Sequence, residues 1–307
     1  MKLAAKGNVR TTPLPENEEP APPSLRNIIQ KGILPENLPP AIHSEALWIH
    51  FESTDDYLTT KKTIGSLSSY NASKRGGHRR LFGIPHPNFI FDQSKYFNAH
   101  WPSLRLVMAE ATGSLSTPIT SAEGRRSVRI TPHSELPKQR LKALSRYKYC
   151  ITTDVSRCFP SIYTHSIPWA INGKIQAKRD SNYESIEVHG NRLDFIFRQA
   201  QQRQTIGIPV GPDTSRITSE LILSAVDKDF LLHQASPRFT YLRHVDDYWV
   251  GANNLEDCEK LLAQLRKSLR SYELDTNEFK TKISTTNNIF GESWPSEFER
   301  ELKQSLG

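Results

Sequence analysis

Apolar and polar positions alternate through Phe239-Thr240-Tyr241-Leu242 and again through Tyr248-Trp249-Val250, and both runs are rich in aromatic residues. This period-2 pattern predicts two short strands, with Arg243-His244-Val245-Asp246-Asp247 at the turn between them. Tyr149 to Asp154 reads as another strand, ending on an acid. The chain then turns through Pro160, and Ser161-Ile162-Tyr163 looks like a helix start. Helical spacing appears elsewhere. Leu255 to Tyr272 places Leu255, Cys258, Leu261, Leu262, Leu265 and Leu269 on one side. Phe89 to Arg105 is predicted helical, its stripe of Phe91, Tyr96, Phe97 and Trp101 reading as core. A polar helix over Asn191 to Arg203 and an apolar one over Ile217 to Phe230 flank a Gly-Pro loop. Near the start, Ser24 caps a short helix, and Leu34 to Pro40 is forced extended by its prolines.

The acids then change the picture. Adjacent carboxylates at a sheet edge repel each other unless a cation lies between them, and a hard ion such as Mg²⁺ takes oxygen ligands. Alone, Asp246-Asp247 also reads as a solvated turn, and Asp154 as a strand-end cap. Together, two strand-end acidic sites separated by a long segment suit a nucleotidyl transferase with two metal ions, one activating a 3′-hydroxyl and one neutralising pyrophosphate. Asp154 and Asp246 would bridge both ions, Asp247 would assist, and the Val155 carbonyl would complete the shell. Between them, Gln204 to Ser215 contains Gly207-Ile208-Pro209-Val210-Gly211-Pro212, a stiff loop whose backbone a base or sugar can approach closely.

These segments resemble motifs A, B and C of reverse transcriptases: Asp154-Val155-Ser156-Arg157-Cys158-Phe159, Gly207 to Pro212, and His244-Val245-Asp246-Asp247. Leu274 to Thr281 resembles motif D, with Lys280 at its lysine position, and Arg80-Leu81-Phe82-Gly83-Ile84-Pro85 resembles the fingers motif. The resemblance runs from roughly residue 70 to 290. Phe159 to Ala170 looks most like the bacterial abortive-infection and defence-associated enzymes. It implies an α+β right-hand polymerase fold, with fingers, a palm of antiparallel strands backed by helices, and a short or absent thumb. The implied division is a flexible arm (1–23), fingers (24–145), motif A palm (146–160), connecting helices (161–205), palm with motifs B to D (206–290), and a thumb start or C-terminal helix (291–307). It also implies roles. Arg80 and Lys74 would contact the triphosphate, while Pro209, Val210 and Gly211 would approach the nucleotide. Phe159 would exclude a ribose 2′-hydroxyl unless it is simply core. Lys280 would serve the leaving pyrophosphate, and His244 and Val245 would meet the primer end. His244 stands where the family has Tyr or Phe, and Val210 where it often has Gln.

The implied activity is RNA-directed DNA synthesis from dNTPs with two Mg²⁺ ions (Mn²⁺ as substitute), serving antiphage defence. The template would be a non-coding RNA, or synthesis would be weakly templated or protein-primed. An RNA-dependent RNA polymerase and a silent nucleic-acid-binding subunit are the alternatives. The charge of +7 suits a polyanionic partner, and Lys174, Lys178, Arg179, Arg192, Arg198 and Arg203 enrich the segment between motifs A and B. Three cysteines lack metal or disulfide spacing, which favours a reducing cytoplasm. No apolar run reaches membrane-spanning length. With little thumb after motif D, a second chain, a homo-oligomer or a structured RNA is expected to supply grip.

Overall fold

The computed structural model describes residues 21–36, 38–39, 41–53, 63–73, 77, 79–120, 124–233 and 238–290. Most of the expected N-terminal arm, Lys74 with Arg75, and the expected C-terminal helix lie outside them.

Strands β1 (Ser68–Ser73) and β2 (Arg79–Ile84) form an antiparallel hairpin. Helix α1 (Pro87–Ala109) follows, opened by Pro87 and the His86 side chain, whose Nδ1 accepts the Asn88 amide. It outruns the expected end at Arg105 and tolerates Pro102 in its interior. Its aromatic stripe is buried, as expected: Phe91, Tyr96, Phe97 and Trp101 all lie in the interior. Next come β3 (Tyr149–Asp154), α2 (Ser166–Asn172), α3 (Gly190–Ala200), α4 (Asp213–Leu232), β4 (Thr240–His244), β5 (Asp247–Ala252), α5 (Leu255–Ser271) and β6 (Lys282–Thr285).

The central sheet has the order β4-β5-β3-β6 and is antiparallel throughout. Alternation sorts its side chains onto two faces. Ile151, Tyr248, Val250 and Ala252 join the main core with α4 and α5, including Leu221, Val226, Leu261 and Leu265. Cys150, Leu242 and Trp249 pack on the other face against Leu144. This is the α+β palm architecture the motifs imply. One local expectation fails. The helix after Asp154 starts at Cys158 and ends at Ser161, while Ile162 and Tyr163 leave the helix. Gly207 donates to the Ile162 carbonyl (2.8 Å) and Tyr163 bridges Ile206, so a tertiary ladder takes the residues that local pattern assigned to a helix. No helix among the described residues is long and apolar enough to cross a membrane.

A set of buried charges sits behind the β4–β5 turn. Arg243 is fully buried. Its Nη1 and Nη2 donate to Glu220 (2.7 and 2.9 Å), its Nε donates to Asp227 (2.8 Å), and Nη1 also reaches the Val245 carbonyl (3.3 Å). Tyr248 donates its hydroxyl to Asp227 at 2.7 Å. Residues 113–115 add an outer ladder, Arg243 N to Gly113 O (2.9 Å) and Leu115 N to Arg243 O (2.7 Å). A Cβ at Gly113 would lie 2.5 Å from the Tyr241 carbonyl, so only glycine permits this approach. Removing one partner of a buried ion pair leaves an uncompensated charge. Asp227→Ala should therefore lower unfolding stability by about 3–5 kcal/mol in urea titrations.

Candidate active site at the β3 and β5 strand ends

Register brings the three acids together. Asp154, the last residue of β3, is the direct partner of Asp247, the first residue of β5. Val155 N donates to the Asp246 carbonyl at 2.9 Å, fixing motif A against the motif C turn. By strand alternation Asp154 and Asp247 share the sheet face of Trp249, away from α4 and α5. The turn itself is tight: Val245 has φ 56°, and its amide donates to Ser116 Oγ at 2.7 Å. Asp154 is held from a third side, because Asn277 N donates to its carbonyl (2.8 Å) while Ser156 N reaches Asp275 O.

Electrostatics set the three carboxylates against one another. Burial pushes the Asp247 carboxyl up to about 6, and neighbouring Asp246 and Asp154 push the same way. Burial also raises Asp246, with Asp154 adding to the effect and Lys280 and Arg80 opposing it. Lys280 Nζ donates to Asp154 Oδ2 at 2.5 Å, and that bond raises the lysine pKa. As placed, no group of three His, Cys, Asp or Glu among the described residues encloses a metal ion. The donor set nevertheless fits a hard divalent cation. It is all oxygen, it carries surplus negative charge, and the buried Asp154 Oδ1 has no hydrogen-bond partner. Lys280 holds the other oxygen.

The motif B loop lies beside this centre. Ile208 N donates to Phe159 O (2.9 Å), tying the loop to motif A, and Gly207 takes φ 87° with its missing Cβ facing the Pro160 carbonyl. Gly83 N donates to Val210 O at 3.1 Å, so the β1–β2 hairpin touches the loop. Pro209 is buried, while Val210 and Gly211 are partly exposed. Arg80 is exposed on β2 and close enough to influence Asp246. Phe159 is half-buried, packed against the main core. The His244 ring turns inward, donating from Nε2 to the Thr131 carbonyl (2.9 Å), so only Val245 of the expected primer-end pair is partly exposed. Lys74 lies outside the described residues.

Three contributors escaped the sequence reading. His133 is exposed, packs edge-on to His244 (ring centroids 4.7 Å apart) and acts electrostatically on Asp247. Arg126 and Asp213 form a buried pair beside motif B. Arg126 Nε donates to Asp213 Oδ1 (2.9 Å), and its guanidinium also reaches the carbonyls of Leu34 (2.7 Å) and Gly211 (2.8 Å). No local pattern marks either, because each partner lies far away in the chain.

The raised Asp247 pKa carries a sign. The folded state binds this proton more tightly than the unfolded chain, so the ionised carboxylate destabilises the metal-free protein fully above about pH 6 and ceases to do so near the ordinary carboxylate value. Without divalent ions, Asp247→Asn should raise the Tm at pH 7, and the advantage should shrink as pH falls from about 6 toward 4. Melting curves in EDTA across that range check it.

Residues 103–299 match a family model described as "Reverse transcriptase (RNA-dependent DNA polymerase)". No curated protein matches the chain. Among solved structures, apo telomerase from Candida tropicalis truncated from its C-terminal domain is 14% identical, with TM-score 0.49, covering 82% of this chain and 58% of that one. Telomerase from Candida albicans with the TWJ fragment of telomeric RNA is 14% identical, with TM-score 0.44, covering 73% and 42%. The chain thus spans less than two thirds of these telomerase chains. With well over half of its length matched by the family model, the chain belongs to the reverse transcriptase family.

Proposed function

We propose that this chain is an RNA-directed DNA polymerase that adds dNTPs to a 3′-hydroxyl at the Asp154–Asp246–Asp247 centre. The observation that carries the reading is the convergence of motifs A and C, through the Asp154–Asp247 register and the Val155–Asp246 backbone bond. In this reading residues 24–145 are fingers, 146–160 and 206–290 palm, and 161–205 the helices that connect them.

Asp154, Asp246, Asp247 and the Val155 carbonyl would hold two Mg²⁺-type ions, with Mn²⁺ able to replace them. Such ions, when bound, lower the pKa of the attacking hydroxyl and neutralise the leaving pyrophosphate. The chain's own groups do the rest. Lys280 stays protonated beside Asp154 and, once released from Oδ2, can donate to pyrophosphate. Arg80 offers a planar fork to the triphosphate from β2. The Gly207–Pro212 loop presents backbone to the base and sugar. Phe159, fixed by its own carbonyl to that loop, would meet a ribose 2′-hydroxyl and exclude ribonucleotides. Phe159 to Ala170 supports placing the enzyme with the bacterial defence-associated group, copying a non-coding RNA with a second chain or RNA supplying grip.

On a primed RNA template with dNTPs and Mg²⁺, wild type should extend, and Asp246→Ala should lose about a thousandfold or more in rate. An Asp246→Ala protein as active as wild type would sink the assignment. Phe159→Val should raise ribonucleotide incorporation relative to dNTP by about ten- to a hundredfold, read from competing extension reactions. Sequencing of nucleic acid copurified with the Asp246→Ala protein should recover one enriched RNA, whereas random RNA would exclude a dedicated template.

A further inference from the structure

We propose that Tyr183 and Phe195, flanked by Arg192 and Arg198, form a stacking platform for the unpaired bases of a polynucleotide strand entering the motif A and B cleft. The proposal rests on the polymerase reading above and adds a site outside its chemistry.

The two rings lie stacked, with centroids 4.2 Å apart and planes 15° from parallel. Both are half-buried, and neither joins a hydrophobic cluster among the described residues. The Arg192 guanidinium lies 5.8 Å from the Tyr183 ring and 5.7 Å from Phe195, and that of Arg198 lies 5.9 Å from Phe195. Flat rings beside guanidinium planes suit a nucleobase, which offers a π face whatever its identity. The acids that hold these arginines are inside: Arg198 Nε donates to buried Asp194, and Arg192 lies 4.0 Å from buried Asp92. Exposed Glu184 and Glu187 nearby keep the local charge modest, so stacking rather than bulk charge carries the contact.

The platform is built before any ligand arrives. Tyr183 sits in a loop braced by side-chain bonds, Asn182 N to Asp180 Oδ1 (2.9 Å) and Glu184 N to Asn182 Oδ1 (3.1 Å). Asn191 Nδ2 then ties the loop to α3 through the carbonyls of Asp180 (2.8 Å) and Asn182 (3.1 Å). Little ordering entropy is left to lose on binding. The platform also connects to the candidate active site. Asp194, which takes Arg198, also takes His165 Nδ1 at 2.8 Å. His165 packs edge-on to Tyr163 (4.9 Å), and Tyr163 bridges Ile206 at the entrance of the motif B loop. A chain of contacts through buried Asp194 thus joins that loop to α3.

The test is fluorescence anisotropy without dNTPs, using a labelled primer–template duplex that is either blunt or carries a 5′ single-stranded overhang of roughly ten uridines or deoxythymidines. For wild type the overhang should tighten binding about tenfold. Phe195→Ala and Tyr183→Ala should each remove most of that gain while blunt-duplex affinity stays within about twofold, and Phe195→Trp should keep it. Tyr183 lies in a loop, so its variant holds the test if α3 does not tolerate Phe195→Ala. A gain with uridine alone identifies RNA as the occupant, and a gain with both identifies any single strand. The proposal is overturned if wild type gains nothing from the overhang, or if the gain survives in both alanine variants. Failure of the polymerase reading shows separately, as absent dNTP incorporation by wild type on the same duplexes.

Discussion

One fully buried guanidinium holds the acidic turn in place. Arg243 sits one residue before His244-Val245-Asp246-Asp247, and it satisfies itself on two carboxylates of α4 and one carbonyl of the turn. Burying three charges is costly, and apolar residues of equal volume often stabilise a core as well or better. The arrangement makes sense as a register lock. A one-residue slip of β4 would swing every side chain to the opposite face and leave the guanidinium unpaired. The same slip would carry Asp246 and Asp247 away from Asp154, so the position of the acids follows from a charge set deep behind them.

With the backbone fixed in this way, repulsion among the acids cannot relax by moving strands apart. Val155 N on Asp246 O and Asn277 N on Asp154 O fix the backbone that carries the acids. Burial first, and the neighbouring carboxylates second, raise Asp247 and Asp246, while Lys280 on Asp154 opposes the rise. In the proposed reading a bound cation would supply the missing counter-charge, and Lys280 supplies part of it here.

Much of this was legible in the sequence, for a physical reason. Strand alternation around Asp246 and Asp154 and the 3.6-residue stripe of α5 record burial directly, so the sheet, its acids and the helix behind it could be read. What could not be read depends on contacts between distant segments. Arg157 with φ 45° turns the chain sharply within motif A, and Ile162 and Tyr163 abandon a helix for a ladder with the motif B loop. Arg126 and Asp213 look like surface charges until the fold buries them together. Tyr183 and Phe195, twelve positions apart in loop and helix, carry no shared period.

The two departures from the family pattern find a common account. At position 210 the contact that joins the β1–β2 hairpin to motif B is made by the carbonyl, which accepts Gly83 N, so Val can stand where Gln is frequent without loosening the loop. The loop's other anchors are also independent of that side chain: the Gly211 carbonyl on Arg126, and the backbones of Gly207 and Ile208 on Ile162 and Phe159. At position 244 an imidazole turned inward needs a hydrogen-bond acceptor, and the Thr131 carbonyl supplies it, while the turn is held through the Val245 amide on Ser116. In both places main-chain groups fix the geometry. Side-chain identity is therefore less constrained there than it is, in the proposed reaction, at Asp154, Asp246 and Asp247, whose carboxylates would hold the ions.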